Sequence, residues 1–261
     1  MNTATANRWS DIGWPVGVVL TIFLVWEGGV RLFDVPDYVL PTVTGIIGEF
    51  FNDSSYYLDN MAYTLGNTLI GFTLAIIVGV SLAVGIVSSR ILDRIFMTIL
   101  ALVHSVPKVA LAPLLVIWLG TGGVQKIVIA MLASVFIIVI DAVVGMRSID
   151  PELISMARVK RASGLQILLK LRLPQALPNI FGALKAAAAF SLIGSLVGEF
   201  VGGEKGLGYV ILVAQGMFET TSAFVAVILL GITGTGLYYI VNIAEAKLLP
   251  WHVSQRQTGR A

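Results

Sequence analysis

Side chains able to do covalent or metal chemistry are few in this sequence and poorly spaced for it. Histidine occurs only at His104 and His252, with no H-E-x-x-H pattern, and cysteine is absent, so neither a zinc site nor a disulfide framework can be assembled. Ser105 follows His104 directly, but adjacent helical positions do not face one another, and no G-x-S-x-G elbow accompanies them. No lysine follows a glycine, which excludes the phosphate-cradling G-x-x-x-x-G-K-[ST] loop. Gly206-Leu207-Gly208 is too short for a dinucleotide fingerprint. No catalytic residue, metal ligand or cofactor is expected. What remains is charge set inside apolar sequence, at His104, Lys108, Asp141 and Lys185. A charge near the middle of a membrane span costs at least about 2.5–3.5 kcal/mol and therefore turns to a cavity or a partner. Lys108 lies between Pro107 and Pro113 in HSVPKVALAP, where proline frees backbone carbonyls and bends a helix. Pro107, Lys108 and Pro113 are thus candidates for a water-lined path. The competing reading has Lys108 reach an interface or pair with Asp141 or another carboxylate.

The densest charge runs from Met146 to Pro174, MRSIDPELISMARVKRASGLQILLKLRLP, with Arg147, Arg158, Lys160, Arg161, Lys170 and Arg172 against Asp150 and Glu152. After Pro151 the pattern predicts a short amphipathic helix over about 152–161, a break at Ser163-Gly164 and a second short helix ending before Pro174. Leu153, Ile154, Ala157 and Arg161 fall on one helical face. A helix-turn-helix of this kind between membrane spans suits docking.

The elements around it are membrane spans. Hydrophobic residues make up 57% of the 261-residue chain and charged ones 12%, against roughly 45–50% and 25% in soluble domains. With about 20 apolar residues needed per helical crossing, several spans fit and no separate soluble domain does, so a single membrane domain is expected. The net charge of +2 gives no case for nucleic acid. In order, we expect a first span over 14–33, with Trp14 and Trp26 at interfaces and Glu27 on the outer surface. A surface helix over 42–51, capped by Thr42 or Thr44, follows. A second span over 62–88 carries Gly66, Gly71, Gly79 and Gly85 as helix-packing positions. Arg90, Asp93 and Arg94 form a polar corner before a third span over 95–119, kinked or broken by its prolines. A turn at 120–123 leads to a fourth span over 124–146, and after the basic segment come a fifth span over 178–200, a glycine-studded loop over 198–209 with Glu199, Glu204 and Lys205, and a sixth span over 221–244. Positive charge gathers in the N-terminal stretch, the Arg90 corner, the basic segment and the tail, and is missing from 34–60. The positive-inside rule then places both termini and the basic segment in the cytoplasm.

The basic segment also carries a resemblance. The cytoplasmic signature of permease subunits in binding-protein-dependent ABC importers, Glu-Ala-Ala, a Gly six residues after the Glu, then Ile-x-Leu-Pro, falls here on Ser155, Met156, Ala157, Arg161, Leu171, Leu173 and Pro174. Ala157, Leu173 and Pro174 agree, Leu171 is a mild change, and Ser155, Met156 and Arg161 depart. RSIDPEL before it, LPQALPNIFGALKAAAAF after it, APLLVIWLGTG at 112–122 and GLGYVI at 206–211 make the chain, from about Trp14 to Pro250, similar to the nitrate, sulfonate and taurine group of such permeases. The resemblance implies an all-α integral membrane protein of about six transmembrane helices, in the bacterial cytoplasmic (inner) membrane. It implies a coupling loop contacting ATP-binding cassette ATPase subunits through Glu152, Ser155, Met156, Ala157, Arg158, Arg161, Gly164, Leu173 and Pro174. Gly164 is expected to supply the turn that the family's Gly makes where Arg161 stands. A second permease copy and a solute-binding protein complete the implied assembly, which moves a small, anionic or other organic solute. Arg158, Lys160 and Arg161 are alternatively contacts to membrane lipid phosphates. The rival function class is a gradient-driven secondary transporter or channel, for which mid-membrane ionisable residues and internal repeats are the usual marks; no repeat is evident.

Overall fold

The computed structural model describes residues 6–104 and 108–249, with 6–13, 15–16, 97–98, 100–104 and 108–109 described by backbone alone. Within these residues the chain is helical throughout, with no strand. Four helices are long and apolar enough to cross a membrane. They are α3 (Ser54–Ser88), α6 (Gly123–Arg147), α9 (Leu173–Gly202) together with the helical residues leading into it from Gly164, and α11 (Thr220–Leu248). The expected first span is α1 (Ala6–Leu32), which exposes Leu20, Ile22, Leu24 and Val25 along its length.

Around α6 the packing is backbone-close because the sequence puts small residues at the contacts. A Cβ at Gly71 of α3 would lie 2.6 Å from the Ala130 Cβ, and one at Gly194 of α9 would lie 2.8 Å from the Ala130 Cα, so both helices close on α6 at Ala130. Gly79 sits against Ile138 and Gly145 against Ala176 and Asn179 in the same manner. Of the four glycines expected to pack α3, Gly71 and Gly79 do so tightly, whereas Gly66 has open space beside it. Without water between the helices to drive association, such close approach supplies the dispersion contacts that hold a membrane bundle. The apolar core that results runs through Phe72, Ile86, Ile138, Met146, Phe181 and Leu237.

Shorter helices close the bundle. The helix α2 (Val43–Asn52) is capped by Thr42, whose hydroxyl accepts from the Gly45 N–H at 3.1 Å. Glu27 of α1 accepts from the Thr44 hydroxyl at 2.7 Å and from its N–H at 3.2 Å, tying the first helix to the start of α2. The third expected span is broken rather than bent: α4 (Arg90–His104) is followed by a 3-10 turn (Lys108–Leu111) and by α5 (Ala112–Leu119). Pro113 stands in the first turn of α5, where its missing N–H would have no intrahelical partner, so it opens a helix instead of kinking one. Gly120, at φ 79°, ends α5.

Candidate functional site

Two polar regions, at opposite ends of the bundle, engage the residues singled out in the sequence. The basic segment forms α7 (Pro151–Val159), entered through Asp150, whose carboxylate accepts from the Glu152 N–H at 2.8 Å, with Pro151 at the first helical position. No residue of α7 is fully buried. Ile154 and Ala157 turn partly inward, as the amphipathic pattern required, but Leu153 and Arg161 of the same expected face are exposed. Ser155, Met156, Arg158, Val159 and Glu152 face outward as well.

The turn after α7 differs from the expectation. Arg161 itself adopts the left-handed conformation, φ 59°, with its N–H donating to the Arg158 carbonyl at 2.9 Å and the Ala162 N–H donating to Ala157 at 3.0 Å. This is a Schellman motif with arginine where glycine is favoured. Gly164 makes no turn; it opens α8 (Gly164–Ile167), capped by Ser163, whose hydroxyl accepts from the Gln166 N–H while Gln166 Oε1 accepts from the Ser163 N–H at 2.9 Å. Proline is well tolerated at such a first position, so Gly164→Pro is not a disruptive variant here. Arg161→Gly, by contrast, is expected to stabilise the segment by about 1 kcal/mol by relieving the left-handed strain. The check is the thermal midpoint of the purified protein; a lower midpoint would mean that the arginine side chain contributes more than its backbone costs.

The second helix also does not stop before Pro174. Residues Leu168–Arg172 form a π-turn that runs on into α9, with the Leu173 N–H donating to the Leu168 carbonyl. The wider turn absorbs the missing Pro174 N–H and the bulk of its ring, which an α-helical turn would not. Leu173 is half-buried and Pro174 exposed at this junction. Arg172 anchors it, its guanidinium donating to the Val87 carbonyl at the end of α3 at 3.0 Å, and Arg147 meets Asp93 of α4 at 2.6 Å. Together with Arg90 and Arg158 these residues line a cleft of about 790 Å³ beneath α7. Pro107 and the Lys108 side chain lie outside the described residues; Pro113 is exposed at the start of α5.

At the other end, the expected loop over 198–209 is mostly helix. The helix α9 continues to Gly202, and α10 (Leu207–Met217) starts after a short turn. Glu199 is 0% exposed inside α9, not a loop residue. Its Oε2 accepts from the Gly208 N–H at 2.8 Å and from the Thr64 hydroxyl at 3.1 Å. Thr64 accepts from the Leu207 N–H at 2.8 Å and Asn60 from the Gly206 N–H at 2.7 Å. Three consecutive donors at the start of α10 are thereby satisfied by α3 and α9, with a carboxylate at the positive end of the helix. Lys126 of α6, 1% exposed, donates to the Thr121 and Gly122 carbonyls at 2.8 and 3.2 Å. Sequence reasoning missed α10, Lys126 and the role of Glu199. The available signals were the apolar run after Gly206 and the Asn60, Thr64, Thr68 spacing on one face of α3.

Residues 71–250 match the family described as binding-protein-dependent transport system inner membrane component. The chain belongs to this family. Among its relatives, the riboflavin transport system permease protein of Chloroflexus aurantiacus is 36% identical over 95% of this chain and 92% of its own length. The taurine transport system permease protein of Escherichia coli is 26% identical over 83% of this chain and 79% of its own. A solved inward-facing structure of the MetNI methionine ABC transporter has the same fold, with a TM-score of 0.64 at 22% identity, covering 76% of this chain and 96% of that one. The family match takes in both the basic segment and the Glu199 turn. Membership makes the chain a multi-pass permease subunit of an ABC importer, of the inner membrane in bacteria, and not itself an enzyme; it sets aside the gradient-driven alternative. An ATPase and a solute-binding protein are the partners that the family implies.

Proposed function

We propose that α7 is the element through which ATP hydrolysed on separate ATPase subunits moves this permease, and that two copies enclose the path of a small solute delivered by a binding protein. The observation that carries this reading is the surface of α7. Leu153, Met156 and Val159 are 51%, 58% and 84% exposed on a short helix projecting beyond the spans, an apolar patch with arginine and glutamate beside it. Such a patch on a rigidly capped helix suits insertion into a partner's groove. Small side chains at Ser155 and Ala157 permit close approach, and Glu152, Arg158, Arg161 and Gly164 border the contact. Leu173 and Pro174, with the Arg172 anchor, transmit it to α9. In this reading α7 and both termini are cytoplasmic, and Glu204-Lys205 are outside. The relatives' names span riboflavin and taurine, so the solute class is set by features of the individual chain and its binding protein.

The test is uptake in vesicles containing the permease, its co-encoded ATPase and its binding protein. Uptake is expected to require ATP. Ala157→Glu is expected to lower uptake at least about tenfold, the equivalent of 1.4 kcal/mol, by placing a charge in the docking contact, while membrane insertion is unchanged. Wild-type uptake by Ala157→Glu would overturn the role of α7. A reporter active only outside the cytoplasm should respond when fused after Lys205 and stay silent after Ser163; the reverse would overturn the orientation.

A further inference from the structure

Among the described residues, most ionisable side chains inside the spans have partners within the chain. Lys185 of α9 meets Glu245 of α11 at 2.5 Å, Lys126 is held by backbone carbonyls, and Glu199 caps α10. Asp141 of α6 is half-buried, and among the described residues it has neither an ion pair nor a hydrogen bond. It stands six residues before Arg147, the end of α6, hence about 9 Å deeper along the helix axis. An arginine can extend its head group back to an interface over such a distance, but an aspartate cannot. A carboxylate at this depth is strongly disfavoured against lipid and belongs in a wet or polar space.

The packing within the chain leaves open surface beside it. Gly145 touches Ala176 and Asn179 of the antiparallel α9, so Asp141, one turn along α6, is level with residues 180–183. There Gly182 is exposed, and a methyl on it would meet nothing within 4 Å. On the flanking surface of α6, Ile140 and Val144 are 39% and 54% exposed. The cation that α9 carries, Lys185, is already engaged by Glu245.

We propose that Asp141 contacts the solute in the translocation path, and that the solute passing it bears a positive charge, as an ammonium group or a protonated ring nitrogen. The proposal rests on the reading above that two copies enclose the path, which brings two such carboxylates to it. Of the anionic or other organic solutes expected from the sequence, it selects a cationic or zwitterionic one.

The chain has no cysteine, so Val144→Cys introduces a single thiol three residues from Asp141. In vesicles holding the assembled transporter, that thiol is treated with trimethylammonioethyl or sulfonatoethyl methanethiosulfonate, and the two rates are compared. The ratio favouring the cationic reagent is expected to fall about tenfold when Asp141→Asn is added, the effect of removing one charge a few ångströms away in a wet site. Failure of both reagents to react would place this face against lipid or a packed interface and overturn the proposal, as would a ratio that ignores Asp141→Asn. If Asp141→Asn instead loses the assembled transporter and Lys108→Met restores it, the carboxylate serves Lys108 and the proposal is overturned. ATPase retained on the same purified sample separates the two readings: a chain without ATPase counts against the importer reading, and one that keeps it but fails the charge comparison sinks this proposal alone.

Discussion

Gly206→Ala is expected to cost about 3 kcal/mol or more, enough to remove much of the folded protein from a detergent extract. Gly206 has φ 112°, a conformation essentially reserved for glycine, and a Cβ there would fall on the Glu199 carboxyl group. The carboxylate cannot step aside without releasing the Gly208 N–H and the Thr64 hydroxyl, both of which would then be buried without partners. Glu199→Gln keeps an acceptor for Gly208 and is expected to be milder than Glu199→Ala, which leaves Thr64 and Gly208 facing a cavity. Monodispersity and thermal midpoint in detergent are the measurements. A Gly206→Ala protein as stable as the parent would show that the start of α10 is not held in this way.

Gly194→Leu is the second large effect. The α6 backbone passes so near this residue that even a methyl would lie 2.9 Å from the Ile129 carbonyl oxygen. Leucine must therefore push α9 away from α6, and a shift of α6 instead would disturb its equally close contact with Gly71 of α3 at the same Ala130. Overpacking of this kind costs typically 1–3 kcal/mol and here is expected at or above the top of that range. Gly231→Ala on α11, with nothing within 4 Å, is the control and is expected to change stability by less than about 1 kcal/mol, in the favourable direction that helix propensity sets. Equal effects of the two substitutions would dispose of this close contact.

The spans were legible because apolar length is a one-dimensional signal, and the ends of α6 fell within a residue of the expected 124–146. The Thr42 cap was legible for a similar reason, since its partner is three residues away. What was not legible depends on residues distant in sequence. Glu199 reads as a loop residue when followed by Gly202 and Gly203, and only Asn60 and Thr64, more than a hundred residues earlier, reveal that it is the floor of the next helix. Lys126 is hidden for a comparable reason, its ammonium being satisfied by main-chain carbonyls that no pattern of side chains announces. At Pro174 the rule that proline ends a helix gave way to a wider turn, and at Arg161 the rule that glycine makes the left-handed turn gave way to hydrogen bonds that two backbone donors supply. The loop's position was therefore readable, and its internal joints were not.

Because the π-turn preserves helical continuity, Gly164–Gly202 is one rod of 39 residues, about 58 Å long. One end begins two residues after the Arg161 turn, and the other carries Glu199 under the start of α10. The rod is held against α6 at Gly194 and at Ala176 and Asn179, and if it moves as a unit, tilting it by about 10° would swing its free end by up to about 10 Å over that length. Motion imposed at one face of the membrane would then arrive at the opposite face as a change in the seat of α10, with no relay of separate contacts in between.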